Sequence, residues 1–294
     1  MPYQPFRATV LDSVRISPSF QRVRLTGLTE MGPSGVIRDL RIKLIIPGAH
    51  GLPELPATED WYAAWQQLDP ATRGAMRTYS VRELDRERGI LTIDFVLHTA
   101  PGETGPASTW ASTATTGDKI YVIAPHSDDE SGPGIEFQPG EAREAHVFGD
   151  ETALPAIARI LDEWPDGLSG SVHIAVPYFQ DAQALAAPTG VTVEFLPHGG
   201  NATLIDALSS LTGVDPAPDT PQQASPEREI LWETPGFSAS GEELGTRAAD
   251  GAYWWIAGES GVVKRMRRML VKEAGVPRSA VSFMGYWKRG VSEG

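Results

Sequence analysis

The run Ala145-His146-Val147-Phe148-Gly149-Asp150-Glu151-Thr152-Ala153-Leu154-Pro155-Ala156-Ile157 is where the chain changes character. Residues 145–148 make a short apolar run of strand type, a glycine-acid turn follows, and Ile157, Ile160, Leu161 and Trp164 then recur at the spacing of one helix face. Downstream the alternation repeats. Residues 172–176 lead to a short helix near 181–185, residues 191–196 to a helix near 203–211, and residues 253–257 to a helix over 260–274; residues 281–284 close the series. Strand-helix alternation predicts a parallel sheet with right-handed crossovers, whose ligands sit at the carboxyl ends of the strands.

Upstream of that run the pattern is different. Strand-like segments at 7–17, 21–28, 41–46, 77–82, 90–97 and 119–124 are separated by turns, and several alternate apolar with polar residues. Their spacing predicts a six-stranded antiparallel barrel. One helix interrupts it, opened by Pro106, passing through Trp110 to Ala114 and stopped by the turn at 115–118. Residues 126–144 lack periodicity and are rich in Asp, Ser, Gly, Pro and Glu, as a linker is, so the domains are expected at 1–143 and 144–294. Residues 212–251 form an insertion too long for an ordinary crossover loop, expected to lie as an irregular excursion on the surface.

Composition narrows the function. Among 294 residues, 38 are acidic and 25 are Lys or Arg, a formal charge of −13 that argues against a general nucleic-acid-binding surface while leaving room for a local basic pocket. Without cysteine the chain has no disulfide framework, thiolate zinc site, cysteine-ligated iron–sulfur cluster or cysteine nucleophile. The apolar stretches are of strand length and the first residues lack a hydrophobic signal core, which predicts a soluble, cytoplasmic protein without stable membrane insertion.

Arg77-Thr78-Tyr79-Ser80 is the most informative tetrapeptide. On a strand, period two sends Arg77 and Tyr79 to one side, where a guanidinium can bind a pyrophosphate and a ring can pack on a flat cofactor, while Ser80 offers a hydrogen bond to a ring nitrogen. Taken alone it is equally an exposed strand with a polar face. Further on, Asp94-Phe95-Val96-Leu97-His98 precedes the turn Gly102-Glu103-Thr104-Gly105-Pro106-Ala107-Ser108, which feeds a helix N-terminus suited to phosphate.

A barrel with these motifs followed by an α/β domain resembles the ferredoxin-reductase superfamily. Asp94 to His98, Gly105-Pro106-Ala107-Ser108 with Trp110, Gly149 to Ala156, Ala257-Gly258-Glu259 and Gly285-Tyr286-Trp287-Lys288-Arg289-Gly290 together resemble, more specifically, the siderophore-interacting proteins. The likeness covers nearly the whole chain apart from the linker and the insertion. It implies an FAD-binding barrel and a domain that meets NADH or NADPH, with electrons passing from the donor through the flavin to a ferric siderophore. Carried onto this sequence, it implies cofactor contacts from Arg77, Thr78, Tyr79, Ser80, Asp94, Val96, His98, Gly105, Ala107 and Ser108, and from Asp150, Thr152, Ala153, Glu259 and Trp287 in the second domain. No protein side chain need be catalytic and no protein metal ligand is implied, because the flavin carries the redox chemistry.

Two second-domain residues have a simpler reading beside this one. Thr152 can cap the helix that follows the first parallel strand, and Glu259 can either bind the carboxamide end of a nicotinamide or stabilise its own helix start. The helix after Ser260 places Val262, Met266, Met269 and Leu270 on its buried stripe and Lys264, Arg267 and Arg268 on the other side. With Lys43, where family members have a basic residue in the substrate pocket, Lys264 and Arg267 are expected to hold an anionic ferric chelate. Gly258-Glu259-Ser260-Gly261-Val262 ends in valine where an esterase elbow needs glycine, and no His-Glu-x-x-His pair or P-loop occurs. Two rivals stay open at this level: a flavin-containing siderophore-binding protein without significant turnover, and a general reductase of ferredoxin or flavin. The loop at 177–181 lacks the basic residues that hold a 2′-phosphate, which favours NADH; a ferredoxin is a further candidate partner, and the chain is expected to be monomeric.

Overall fold

Alternation decides the first sheet. The computed structural model describes residues 3–56, 60–97, 105–129, 134–197, 202–216, 232–235, 237–238 and 251–290. It divides into two compact units, one built on Met1–Ile135 with Ala158–Glu163 and the other on Glu136–Ile157 with Trp164–Ser292.

The first unit contains β1 (Tyr3–Ser17), β2 (Phe20–Thr26), β3 (Arg41–Ile46), α1 (Trp61–Gln67), β4 (Ala75–Ser80), β5 (Glu83–Asp85), β6 (Ile90–Val96), α2 (Pro106–Thr113) and β7 (Lys119–Pro125). Every pairing is antiparallel, in the order β4-β3-β7-β1-β2-β6-β5. In β3, Ile42, Leu44 and Ile46 join a core that includes Leu25, Leu91, Ile93, Phe95 and Ala111 of α2. Ile45 points to the other face, where it meets Trp61 and Trp65 of α1, Tyr121 and Ile123. Each fully buried aliphatic side chain of this kind contributes about 1.5–3 kcal/mol relative to exposure, so a one-residue slip of β3 would be costly.

The sheet corrects three sequence expectations. It has seven strands, not six, because Glu83–Asp85 adds a three-residue edge through Leu84, too short for alternation to announce. Among the described residues β4 and β5 are edges, so the sheet curls without closing into a barrel. Two helices accompany it, since Trp61–Gln67 folds as well as Pro106–Thr113; Trp61 and Trp65, four apart, form its buried face.

The second unit contains β8 (Glu144–Gly149), the first part of α3 (Leu154–Asp162, whose residues from Ala158 on group with the first unit), β9 (Ser169–Val176), β10 (Val191–Pro197), α4 (Ala202–Thr212), β11 (Trp232–Thr234), β12 (Phe237–Ser238), β13 (Tyr253–Glu259), α5 (Ser260–Arg267) and β14 (Val281–Trp287). The order is β10-β9-β8-β13-β14-β11-β12. The first five strands are parallel, while β11 pairs antiparallel with β14 and with β12, so the sheet is mixed and not purely parallel. The insertion is therefore not wholly irregular: residues 232–234 continue the sheet by pairing with Phe283 and Met284. The helix expected at 181–185 is only a 3₁₀ turn, Phe179–Asp181, and α5 widens into a π-helical turn at Arg268–Glu273. Phe148, Ile256, Val263, Met266, Leu270 and Phe283 are buried in the core where α4 and α5 cover the sheet.

Candidate functional site

Strand order places the chemistry of the second unit. Counting the parallel strands in chain order, the sheet runs third, second, first, fourth, fifth, so its order reverses between β8 and β13. Ligands of such sheets bind at that reversal, beyond the carboxyl ends of the strands. Asp150 and Glu259 stand there.

Asp150 is buried and accepts four hydrogen bonds. Its Oδ1 receives the Thr152 amide at 2.9 Å and the Thr152 hydroxyl at 2.5 Å; its Oδ2 receives the Glu259 amide at 2.7 Å and Trp287 Nε1 at 2.8 Å. One carboxylate thus ties the ends of β8, β13 and β14 together. Burial pushes its pKa upward, and the four donated bonds oppose that shift. The packing around it needs two glycines. A Cβ on Gly149 would lie 2.6 Å from Ala153 Cβ and 2.7 Å from Ile157 Cδ1, so this glycine lets α3 close on its strand. Gly258 has φ +145°, and a Cβ there would lie 2.5 Å from Asp150 Oδ2.

Glu259 has the simpler of its two expected roles. It is the N-cap of α5, with Oε2 accepting the amides of Gly261 at 2.7 Å and Val262 at 3.0 Å, while Oε1 accepts the Arg289 amide at 3.2 Å. Thr152 departs from its expected capping role: its hydroxyl donates to Asp150 and orients that carboxylate. Ala153 is buried and donates its amide to the Asp150 carbonyl.

Beside them Glu151 is partly buried, and desolvation, then the charge of Asp150, pushes its carboxyl up to about 8. Asp181 adds to the shift and Arg289 opposes it. Because the folded state binds this proton more tightly than a free glutamate, whose pKa is 4.5, stability from this group is full below that value and falls as pH rises towards 8. Glu151→Gln is expected to flatten this slope and to raise stability above pH 8 by about 1–2 kcal/mol, less than the full shift because the side chain is only partly buried. Urea denaturation at pH 5, 7 and 9 checks it; an unchanged slope would contradict the assignment.

In the first unit, period two puts Arg77 and Tyr79 on the core face of β4 and Thr78 on the other. Tyr79 packs on Phe95 at 4.5 Å between ring centroids, and Phe95 on Trp110 of α2 at 5.7 Å, so an aromatic chain ties the Arg77–Ser80 strand to the helix that Gly105 opens. The Arg77 guanidinium donates to the Met76 carbonyl at 2.8 Å, and Ser80 is buried. Gly105 has no side chain to cap α2, Pro106 begins the helix, and a Cβ on Gly105 would meet nothing within 4 Å. Gly105 therefore leaves the first amides of α2, including those of Ala107 and Ser108, without an N-cap side chain at the positive end of the helix. An edge strand carrying an arginine and an aromatic ring beside an uncapped helix start fits a dinucleotide with its pyrophosphate on the helix.

The remaining expected residues lie on several elements. Asp94 is fully engaged by Arg22, its cross-strand neighbour, through bonds of 2.7 and 2.8 Å, with no exposed side-chain surface. Val96 ends β6 opposite Phe20. His98 lies outside the described residues. Lys43 is exposed in the first unit, 3.3 Å from Thr78 Oγ1. Lys264 and Arg267 belong to α5 in the second unit. Arg267 meets Glu233 at 2.6 Å and lies 6.0 Å over the Phe283 ring, a pairing that only the return of β11 to the sheet supplies.

Sequence reading leaves residues 47–76 without an element, yet five of them, Tyr62, Trp65, Gln66, Arg73 and Met76, line a pocket of about 440 Å³ together with Lys43 and Thr78. The aromatic run Trp61-Tyr62 with Trp65 was the available signal.

A curled antiparallel sheet followed by an α/β unit is the ferredoxin-reductase-like fold. A ferredoxin-NADP+ reductase from Plasmodium falciparum shares it at TM-score 0.57 and 10% identity, over 96% of each chain. The chain belongs to the siderophore-interacting protein family: the model of that name matches residues 142–290, and the model of the siderophore-interacting FAD-binding domain matches residues 9–129. The chain is 28% identical to the ferric vibriobactin reductase ViuB of Vibrio cholerae over 97% of its length and 90% of ViuB. The crystal structure of the siderophore-interacting protein SipS from Aeromonas hydrophila matches it at TM-score 0.69 and 28% identity, covering 100% of this chain and 95% of that one.

Proposed function

We infer that the protein is a flavin-dependent oxidoreductase that reduces ferric siderophores with electrons from a nicotinamide nucleotide. The observation that carries the reading is the Arg77–Tyr79 face of β4 lying beside the uncapped start of α2, in a chain of the siderophore-interacting family. Arg77 binds the FAD pyrophosphate by a charge-assisted bond, the α2 amides of Ala107 and Ser108 share that anion, Tyr79 packs on the flat ring system, and Thr78 and Ser80 supply hydrogen bonds. When bound, FAD accepts two electrons from a hydride donor and releases them singly. The second unit positions the donor at the β8–β13 reversal, where Asp150 fixes Thr152, Glu259 and Trp287. Lys43 and Lys264 attract the anionic chelate. Reduction releases the metal because Fe(II), less highly charged than Fe(III), is held less firmly by hard oxygen donors.

Among the described residues no helix is long and apolar enough to cross a membrane. The reading places the protein in the cytoplasm as a monomer. The loop after β9 presents the exposed Tyr178 and Phe179, then the buried Asp181, whose carboxylate accepts the Tyr178 amide at 3.1 Å. With no basic side chain at 177–181, NADH is the expected donor. Purified protein is expected to release FAD on heat denaturation, and its flavin to be reduced anaerobically faster by NADH than by equal NADPH. Faster reduction by NADPH would overturn the donor assignment; reduction by neither nucleotide, with reduction by a ferredoxin, would make that protein the donor. Protein purified and reconstituted without bound FAD would overturn the function.

A further inference from the structure

We propose that Glu233, brought in by the insertion, is an internal competitor for the anionic chelate: it occupies Arg267 and leaves Lys264 as the α5 cation that meets the substrate. The inference rests on the reductase reading and concerns the regulation of its substrate site. Lys264 and Arg267, three apart on α5, share a helix face, so the sequence alone assigns them one role. Their partners divide them. Among the described residues Lys264 has no ion-pair partner. Arg267 is committed: its Nε donates to Glu233 Oε2 at 2.6 Å and its Nη2 to Oε1 at 3.4 Å, while Arg278 Nη2 closes on the same Oε1 at 3.1 Å. The Glu233 side chain is 11% exposed and the two arginine side chains 22% and 23%, so solvent screens this cluster little.

The competitor is held by a strand that can leave. β11 meets β14 through two register pairs, Trp232 with Met284 and Glu233 with Phe283, and Trp232 stacks on Tyr286 at 6.1 Å and 12°. Its other neighbour is β12, the last strand of the sheet. Three residues at a sheet margin open locally at lower cost than the core strands do. A chain carboxylate and the anionic oxygens of a ferric chelate offer a guanidinium the same kind of acceptor, so each excludes the other from Arg267. The chelate therefore gains this second cation only where Glu233 gives it up.

The test uses the full flavin-loaded chain and the redox-inert gallium(III) tris-catecholate trianion, so that binding is read without turnover. Calorimetric titration compares the parent, Glu233→Gln, Arg267→Gln and the double variant, with near-ultraviolet circular dichroism reporting tryptophan packing. Glu233→Gln should tighten binding by about fivefold or more, because the chelate gains a charge-assisted bond. Most of that gain should persist at high salt, where the field of a merely unmasked charge is screened. In the Arg267→Gln background the same change should tighten binding by less than about twofold. Additive effects of the two substitutions, or no tightening in Glu233→Gln, would overturn the proposal. Where Glu233→Gln loses the parent's circular dichroism, Glu233→Asp, which keeps the charge and withdraws the carboxylate by one methylene, carries the same cycle. Reoxidation of the parent's NADH-reduced flavin by ferric tris-catecholate separates the two claims: if it proceeds while the cycle is additive, only the competitor role fails, and if no ferric chelate reoxidises the flavin, the reductase reading fails and the competitor role with it.

Discussion

Arg77→Ala is expected to purify with little flavin and to regain it only at high FAD concentration. Arg77 lies on the core face of an edge strand, and on the function proposed above its guanidinium answers the FAD pyrophosphate. Losing a charge-assisted hydrogen bond costs about 1.5–3 kcal/mol, which is roughly tenfold to more than a hundredfold in affinity. Arg77→Lys should fall between, since an ammonium keeps the charge and loses the planar fork. Flavin titration followed by absorbance measures the effect, and full occupancy of Arg77→Ala after dilute dialysis would contradict the site.

Gly258→Ala should damage the second unit more than any exposed substitution. The new Cβ would need a backbone at φ +145° and would lie 2.5 Å from Asp150 Oδ2. That oxygen cannot swing aside freely, because it holds the Glu259 amide and Trp287 Nε1, and Oδ1 is held by Thr152. Strain plus partial loss of these bonds predicts about 2–4 kcal/mol of destabilisation. Gly251→Ala, where a Cβ meets nothing within 4 Å, is the control. Urea midpoints read by tryptophan fluorescence decide it, and a midpoint for Gly258→Ala equal to that of the control would contradict the account of Asp150 as the tie between strands.

What the sequence made legible follows from the range of each signal. Hydrophobic period is local, so the alternation in β3 and the one-face spacing of α5 could be read directly, and the strand-helix series announced the second unit. Glu83–Asp85 offers one buried side chain, Leu84, and three residues carry no period. Residues 232–234 form a strand only because β14 offers an edge some fifty positions later, a pairing that no local pattern encodes. The site divides the same way. Arg77 and Tyr79 were legible as a same-side pair, and Gly105 as a helix start. Asp94 was read as part of a cofactor motif; its ion pair with Arg22 comes from the strand register, which no local pattern encodes. The Asp150 bonds to Glu259 and Trp287 span 109 and 137 positions, and exist because the sheet order sets β13 beside β8. Glu259 was read with two roles; its cap to Gly261 and Val262 is local, and that role is the one the structure carries.

The most direct measurement of the central claim is an anaerobic double-mixing experiment followed at the flavin absorbance, with a ferrous-specific chelator present. NADH should bleach the flavin, and a ferric siderophore added next should restore its colour while two equivalents of Fe(II) appear per flavin, as a two-electron carrier discharging one electron at a time requires. A bleached flavin that stays bleached in excess ferric siderophore, with no Fe(II) formed, would contradict the account and leave a flavoprotein that binds siderophores without reducing them.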